Sequence, residues 1–180
     1  MKVGSEHIVE RHVLLDASEA SVREAAAAVT VPRTWLMVFA EPRAVADWLP
    51  PGWQVDHAET GYLMAVGLGR TDPAPPAGYR VSDRTRDGVT VVEVRDAAGG
   101  CVARGQTAVW GDTAAMDRVV TEEAHRRRGL GSLVMRVLAD RAAAAGATDG
   151  ALGATPQGRA LYEALGWQVR SILTECVYAP

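Results

Sequence analysis

HRRRGLGSLVM, residues 125–135, sets three consecutive arginines before a glycine–leucine–glycine turn, and the chain then takes up a helical pattern. Apolar residues follow at Leu130, Leu133, Val134, Val137 and Leu138, the i, i+3, i+4, i+7, i+8 stripe of a helix packed on a sheet. Gly146 is placed to end that helix. A charge run is most often a solvated surface. Here, however, charge and glycines meet at a helix start, where about four backbone N–H groups lack partners within the helix and the helix dipole is positive. Glycine removes the Cβ that would hold a ligand away from the backbone. The combination predicts a seat for an anion, well suited to a pyrophosphate, with Arg126, Arg127 and Arg128 adding side-chain charge.

Regular elements are legible on both sides of this turn. Residues 89–95 and 101–110 read as two strands joined at Ala97-Ala98-Gly99-Gly100, a hairpin, and 114–121 as a third strand. After the helix, 147–154 is a short strand of small residues. Thr155-Pro156 gives an N-cap and a proline at the first helical position, so a second helix starts there, with Leu161 and Leu165 on its buried side and Gly166 closing it. Residues 167–178 return as a strand. The order β-β-β-α-β-α-β predicts an α/β fold with a central mixed sheet and helices on both faces.

The first 75 residues differ in character. A helix is expected over 18–29, with Asp16 or Ser18 as N-cap. A tryptophan- and proline-rich stretch, 32–53, contains Trp35, Trp48 and Trp53; 62–68 is apolar enough for a strand, and TDPAPPAG, residues 71–78, is a connector.

The length of 180 residues fits one domain, divided into a variable substrate-side part over 1–75 and a core over 89–178. Nineteen basic against 22 acidic residues give a net charge of −3, which argues against nucleic acid as a general partner and makes the arginine triplet a local feature. Cys101 and Cys176 have no metal-ligand spacing, and two thiols in a reduced protein are expected, with no metal. No signal peptide and no membrane span are read, so the expected location is cytoplasmic. Other phosphate and hydrolase patterns fail: GxxxxGK[ST], GxSxG and HExxH do not occur, and no glycine stands at 134 to complete a dinucleotide fingerprint.

Arg126-Arg127-Arg128-Gly129-Leu130-Gly131 resembles the Q/R-x-x-G-x-G/A signature of the GNAT acyltransferase superfamily. The segment Gly158-Arg159-Ala160-Leu161-Tyr162-Glu163-Ala164-Leu165-Gly166-Trp167 is similar to that family's later A-x-x-x-Y-x-x-x-G-F/W segment, at the family's spacing of one helix and one strand. The resemblance covers 89–178 and implies one GNAT-like domain that takes acetyl-CoA. It implies that Val119, Val120 and Thr121 line the acetyl and pantetheine groove, that Arg126 to Ser132 (with Arg127, Arg128, Gly129, Leu130 and Gly131 between) meet the pyrophosphate, and that Tyr162 lies near the thioester sulfur. Thr155 stands where the family often has asparagine, and Gly158 where it often has alanine, so pantetheine contacts there depart from the pattern. The family's frequent carboxylate base falls at Ala115; Asp117, two residues on and on the same strand face by alternation, is the nearest substitute.

The same frame implies Tyr162 as the acid that protonates the CoA thiolate and Asp117 as base. A backbone N–H near 119–121 would stabilise the acetyl oxygen as charge develops on it. For the acceptor, Pro50-Pro51-Gly52-Trp53 reads as a stiff loop presenting an aromatic, with Asp56, Glu59 and Glu41 nearby; aromatic plus carboxylate suits a cationic amine, and Trp110 with Asp112 offers the same pairing. His125 reads as an exposed turn residue, and His7, His12 and His57 show no partner pattern. The expected function is acetyl transfer to a primary amine of a small molecule. An aminoglycoside is one acceptor, since the tail and the PPGW loop resemble kasugamycin-type aminoglycoside acetyltransferases. Amino acids, polyamines, protein N-termini and a non-catalytic acyl-CoA-binding module are the alternatives, and a homodimer is left open.

Overall fold

Ser18 stops the extended chain and starts the first helix. Its Oγ accepts the Ser21 N–H at 3.3 Å, while the Asp16 carboxylate accepts both the Ser18 and Ser21 hydroxyls at 2.9 and 2.7 Å. The computed structural model describes residues 2–5 and 8–180, with side chains from Glu10 on; His7 lies outside the described residues. In chain order the first part holds β1 (Lys2–Ser5), β2 (Ile8–Leu14), α1 (Glu19–Ala28), β3 (Thr34–Val38), α2 (Pro42–Trp48), β4 (Trp53–Gly67) and β5 (Arg80–Arg86). Then follow β6 (Val89–Arg95), β7 (Cys101–Trp110), β8 (Thr113–Thr121), α3 (Leu130–Ala144), β9 (Asp149–Ala154), α4 (Pro156–Glu163) and β10 (Gln168–Tyr178). The class is a mixed-sheet α/β fold, as the pattern predicts.

The chain forms two compact units. One comprises Met1–Met64, Gly153–Arg159 and Val169–Pro180. Its strands run β1-β2-β3-β10-β4, with β2 and β3 parallel across α1 and β3 antiparallel to β10. Alternation sorts the side chains. Leu36, Val38 and Cys176 point into a core with Val22, Ala26, Val45 and Trp53; Trp35, Met37, Glu175 and Val177 pair across β3 and β10 on the other face. That second face carries the polar groups discussed below.

The other unit comprises Ala65–Leu152 and Ala160–Gln168. Strands β5 to β8 form an antiparallel meander, and β9 joins β8 in parallel after α3. The helix α3 packs on β6, β7 and β8. That packing needs Gly105: a Cβ there would lie 2.8 Å from Val134 Cγ1 and 3.1 Å from Val119 Cγ2. Asp140 on α3 fixes the proline-rich connector, accepting the Asp72 N–H at 2.9 Å and the Thr71 hydroxyl at 3.2 Å. Its 6% exposure makes those bonds necessary, because a buried carboxylate without partners is costly.

Sequence pattern and structure differ mainly before residue 89. Strands β2, β3 and β5 and helix α2 give no clear signal, and β4 begins at Trp53 instead of Tyr62. β5 is an edge strand whose side chains are exposed except Val81, so it has no apolar alternation to read. The polar run Asp56–Thr60 hides the first half of β4. Among the described residues no helix is long and apolar enough to cross a membrane, and no group of three His, Cys, Asp or Glu side chains is placed to hold a metal ion.

Candidate active site

The arginine–glycine turn is built as an anion seat. Gly129 takes the left-handed conformation (φ 78°) that L-residues disfavour, and it occupies the N-cap of α3 with no side-chain cap. The first-turn N–H groups of Leu130, Gly131 and Ser132 are left for a ligand; Leu133 N–H is the first to find a carbonyl, that of Gly129 at 3.0 Å. The arginines do not act as three equal charges. Arg126 Nε donates to the Thr121 carbonyl at 3.1 Å and Arg128 donates to the Tyr79 hydroxyl at 3.0 Å, so both shape the loop. Arg127, at φ 62°, is exposed. His125 is not a bare turn residue: its Nδ1 is 3.1 Å from the Tyr79 hydroxyl, and its Nε2 is 3.9 Å from the Asp96 carboxylate. Tyr79 and Asp96 carry no motif, and only the fold brings them here.

The strand that feeds this turn is irregular in a useful way. β8 pairs with β9 only at Thr113–Asp149, Ala114–Gly150 and Ala115–Ala151. Beyond Ala115 the strand continues to Thr121 with β7 alone beside it in the register, so one row of its backbone groups is open. On the β7 side the register slips between Arg104 and Gln106, a β-bulge in which Arg118 and Val119 stand across from Gly105 and Arg118 takes φ 53°. A bulge turns N–H groups out of the ladder. Val119 and Thr121 are half-buried, whereas Val120 is 47% exposed.

Tyr162 lies on α4, 9% exposed, with its ring tilted against Trp167 at 6.2 Å between centroids. Its hydroxyl makes no hydrogen bond within the described residues. Burial raises its pKa above the ordinary phenol value, and the negative charge of Asp117 raises it further. Tyr162 therefore holds its proton firmly at neutral pH, as a proton donor must. Asp117 is exposed; it accepts its neighbour's N–H (Arg118) at 2.7 Å and pairs with the Arg118 guanidinium at 3.7 Å. Such a carboxylate is a poor general base, yet its charge acts on Tyr162. Thr155 spends its hydroxyl on capping α4, accepting the Gly158 N–H at 3.1 Å.

Residues 85–169 match the model of the acetyltransferase (GNAT) domain. This segment holds the bulged strand, the uncapped α3 and Tyr162. The chain has the GNAT acetyltransferase fold. A GCN5-related N-acetyltransferase from Kribbella flavida superposes with a TM-score of 0.67 at 20% identity, covering 93% of this chain and 80% of that one. A GNAT-family protein from Novosphingobium aromaticivorans gives 0.65 at 19% identity over 92% and 83% of the two chains. A tandem GNAT protein from the clavulanic acid biosynthesis pathway gives 0.63 at 16% identity over 90% and 69%. No curated protein sequence matches the chain.

The residues expected to receive the acceptor have distinct local surroundings. Trp53 is not presented by a loop: it opens β4, 9% exposed, and donates its Nε1 hydrogen to the Ala26 carbonyl at 3.3 Å beside the Tyr178 ring. It is a core residue of the GNAT fold here. Trp53→Phe should therefore lower stability by about 1–2 kcal/mol through lost volume and one lost hydrogen bond. Acetyl-CoA affinity should stay unchanged; a melt beside a calorimetric titration checks both. Glu41 sits exposed before Pro42 at the start of α2. Trp110, 89% exposed, and Asp112 lie at the β7–β8 hairpin, about 26 Å along β8 from Thr121 at ~3.3 Å per residue.

Asp56 and Glu59 do find company, from a residue that no motif marks. Glu175 of β10 is 5% exposed, with Arg11 of β2 at 3.9 Å from Oε1. Burial, opposed by Arg11 and reinforced by the charges of Glu59 and Asp56, pushes its pKa up to about 7. The signal was present in the sequence as a single acid inside the apolar run of 172–178, Ile-Leu-Thr-Glu-Cys-Val-Tyr.

Proposed function

We propose that the chain is an acetyl-CoA-dependent N-acetyltransferase acting on a primary amine of a small molecule. One observation carries this reading: the uncapped α3 start, the open bulged edge of β8 and Tyr162, with its ring buried, fall within one segment that matches the acetyltransferase (GNAT) domain. Leu130, Gly131 and Ser132 N–H groups hold the pyrophosphate, with Arg127 and the free guanidinium hydrogens of Arg126 and Arg128 beside it. The open edge of β8 over 116–121, with Val119, Val120 and Thr121, offers backbone donors and acceptors to the pantetheine amides.

The chemistry follows from charge. An ammonium cannot attack a thioester, so the nitrogen first gives up a proton. The free amine attacks the acetyl carbon, and a bulge N–H at Val119 stabilises the oxygen as it becomes negative. The C–S bond breaks and the Tyr162 hydroxyl protonates the departing thiolate. Asp117 assists by discouraging early ionisation of Tyr162. An aminoglycoside remains within the proposed acceptor class; the PPGW loop does not single it out, since Trp53 serves the core.

Acetyl-CoA should raise the melting temperature, by the equivalent of about 2.7 kcal/mol at a hundredfold excess over Kd. Thiol release with a panel of primary amines should then identify acceptors. Binding without thiol release for every amine would instead make the chain a non-catalytic acyl-CoA-binding module. No stabilisation by acetyl-CoA at all would remove the reading entirely.

A further inference from the structure

We propose that Tyr79 is a positioning residue that holds the Arg128 guanidinium for the cofactor's phosphates while leaving its charge whole. The proposal rests on the acetyltransferase reading and adds to it a residue from outside the arginine–glycine turn. Every group it uses lies within the unit Ala65–Leu152. Arg128 Nη1 donates to the Tyr79 hydroxyl at 3.0 Å, and the same hydroxyl is 3.1 Å from His125 Nδ1. In the tautomer that sets the His125 Nε2 hydrogen toward the Asp96 carboxylate, 3.9 Å away, Nδ1 is an acceptor. The Tyr79 hydroxyl then donates to His125 and accepts from Arg128, so both of its functions are used at once. The two rings meet edge to face, 5.9 Å between centroids, which fixes the hydroxyl from a second direction.

The kind of partner sets Arg128 apart. Arg23, Arg95 and Arg141 are each held by a carboxylate, Glu19, Glu93 and Asp83, at 2.8 Å. A carboxylate fixes a guanidinium and cancels its charge; a phenol hydroxyl fixes it and cancels nothing. Two acids stand in the same loop, Glu122 and Glu123, yet among the described residues neither pairs with the arginine triplet. Arg126 follows the same rule, with its Nε on the neutral Thr121 carbonyl. An arginine free on a surface gives up rotamer freedom when it meets an anion, and one already held gives up less. Tyr79 is itself well anchored. Its N–H donates to the Pro76 carbonyl at 3.1 Å, and Arg80, which follows it, pairs with Arg95 next to Asp96. The connector that ends at Tyr79 contains Pro73, Pro75 and Pro76, which stiffen it, and Asp140 of α3 holds its other end at Thr71 and Asp72. The connector is thus a strap, fastened to the body of α3 at one end and to the turn that starts α3 at the other.

The test compares wild type, Tyr79→Phe, Arg128→Ala and the double variant by calorimetric titration with acetyl-CoA. Tyr79→Phe keeps the ring against His125, and a thermal melt verifies that it folds. It should weaken acetyl-CoA binding roughly three- to tenfold, the worth of one side chain ordered in advance. Arg128→Ala should weaken binding by at least as much. The double variant should bind no more weakly than Arg128→Ala, because Tyr79 acts only through that guanidinium. A merely structural role for Tyr79 would instead add its loss to that of Arg128→Ala. Additive losses overturn the proposal, and so does unchanged affinity in Tyr79→Phe. If wild type binds no acetyl-CoA, the acetyltransferase reading fails, and inorganic pyrophosphate replaces the cofactor as probe. Weaker pyrophosphate binding by Tyr79→Phe than by wild type then keeps the positioning role, whereas equal or absent binding overturns it.

Discussion

Tyr162→Phe should melt within about 1 kcal/mol of wild type and turn over roughly 10²-fold or more slowly. The two halves of this expectation have separate causes. Stability is spared because the hydroxyl has no partner among the described residues, while the ring that packs against Trp167 remains. Turnover falls because the proton held by that oxygen has no equally placed replacement once water is excluded. The acceptor's KM and the affinity for acetyl-CoA should move little. Replacing the thiolate with a leaving group that needs no proton should shrink the defect. If Tyr162 serves only packing, the pattern reverses, with a stability loss and near-normal turnover. Steady-state kinetics beside thermal melts of this one variant separates the two. Asp117→Asn adds a check on the electrostatics: without the negative charge the phenol pKa moves down, so the alkaline limb assigned to Tyr162 should shift to lower pH.

Gly131→Val should weaken acetyl-CoA binding by roughly 10²-fold, about 3 kcal/mol, the worth of one or two hydrogen bonds to a charged group. Conformation is not the reason. Gly131 is not in the left-handed region, and valine can adopt its backbone angles. Space is the reason: even a Cβ would lie 3.1 Å from Leu161 Cδ2 and 3.7 Å from Thr121 Oγ1, and the two valine methyls would stand over the N–H groups that meet the phosphate. Gly131→Ala should be far milder, since Leu161 ends in a flexible side chain that can move aside. Arg126→Ala should cost about tenfold or less, because an exposed guanidinium is worth little per contact. Calorimetry giving unchanged affinity in the valine variant would take the pyrophosphate away from this turn.

The contrast between the two ends of the chain shows what a sequence can express. From residue 89 on, each element carries a local reason that reads in one dimension: the α3 stripe, Thr155 and Pro156 at the start of α4, glycines at the helix ends. The strands there follow to within two residues, and β7 to its last residue. Before residue 89 the reasons are tertiary. β3 is short and buried, and its register is imposed by β2 and β10. β4 runs through a polar stretch in which Thr60 accepts the N–H of Glu175 on β10, a neighbour that the linear order does not show. The phosphate seat was legible because glycine and arginine are conspicuous. The Tyr79–His125–Arg128 cluster was not, since 49 residues separate Tyr79 from Arg128. Trp53 misled for the opposite reason: its PPGW context looks like display, whereas the ring turns inward to the Ala26 carbonyl.

The open edge of β8 also makes the protein its own reporter. In a strand paired on one side only, alternate amides are tied to the neighbour and the rest meet water. Over 116–121 the untied set should exchange its hydrogens for deuterium within the dead time of an ordinary experiment, while the set bonded to β7 exchanges slowly. A ligand that lies along the edge as an added strand would protect the fast set and leave the slow set as it was. The isotope pattern of this one peptide would then report occupancy residue by residue, without a label, a chromophore or a known acceptor.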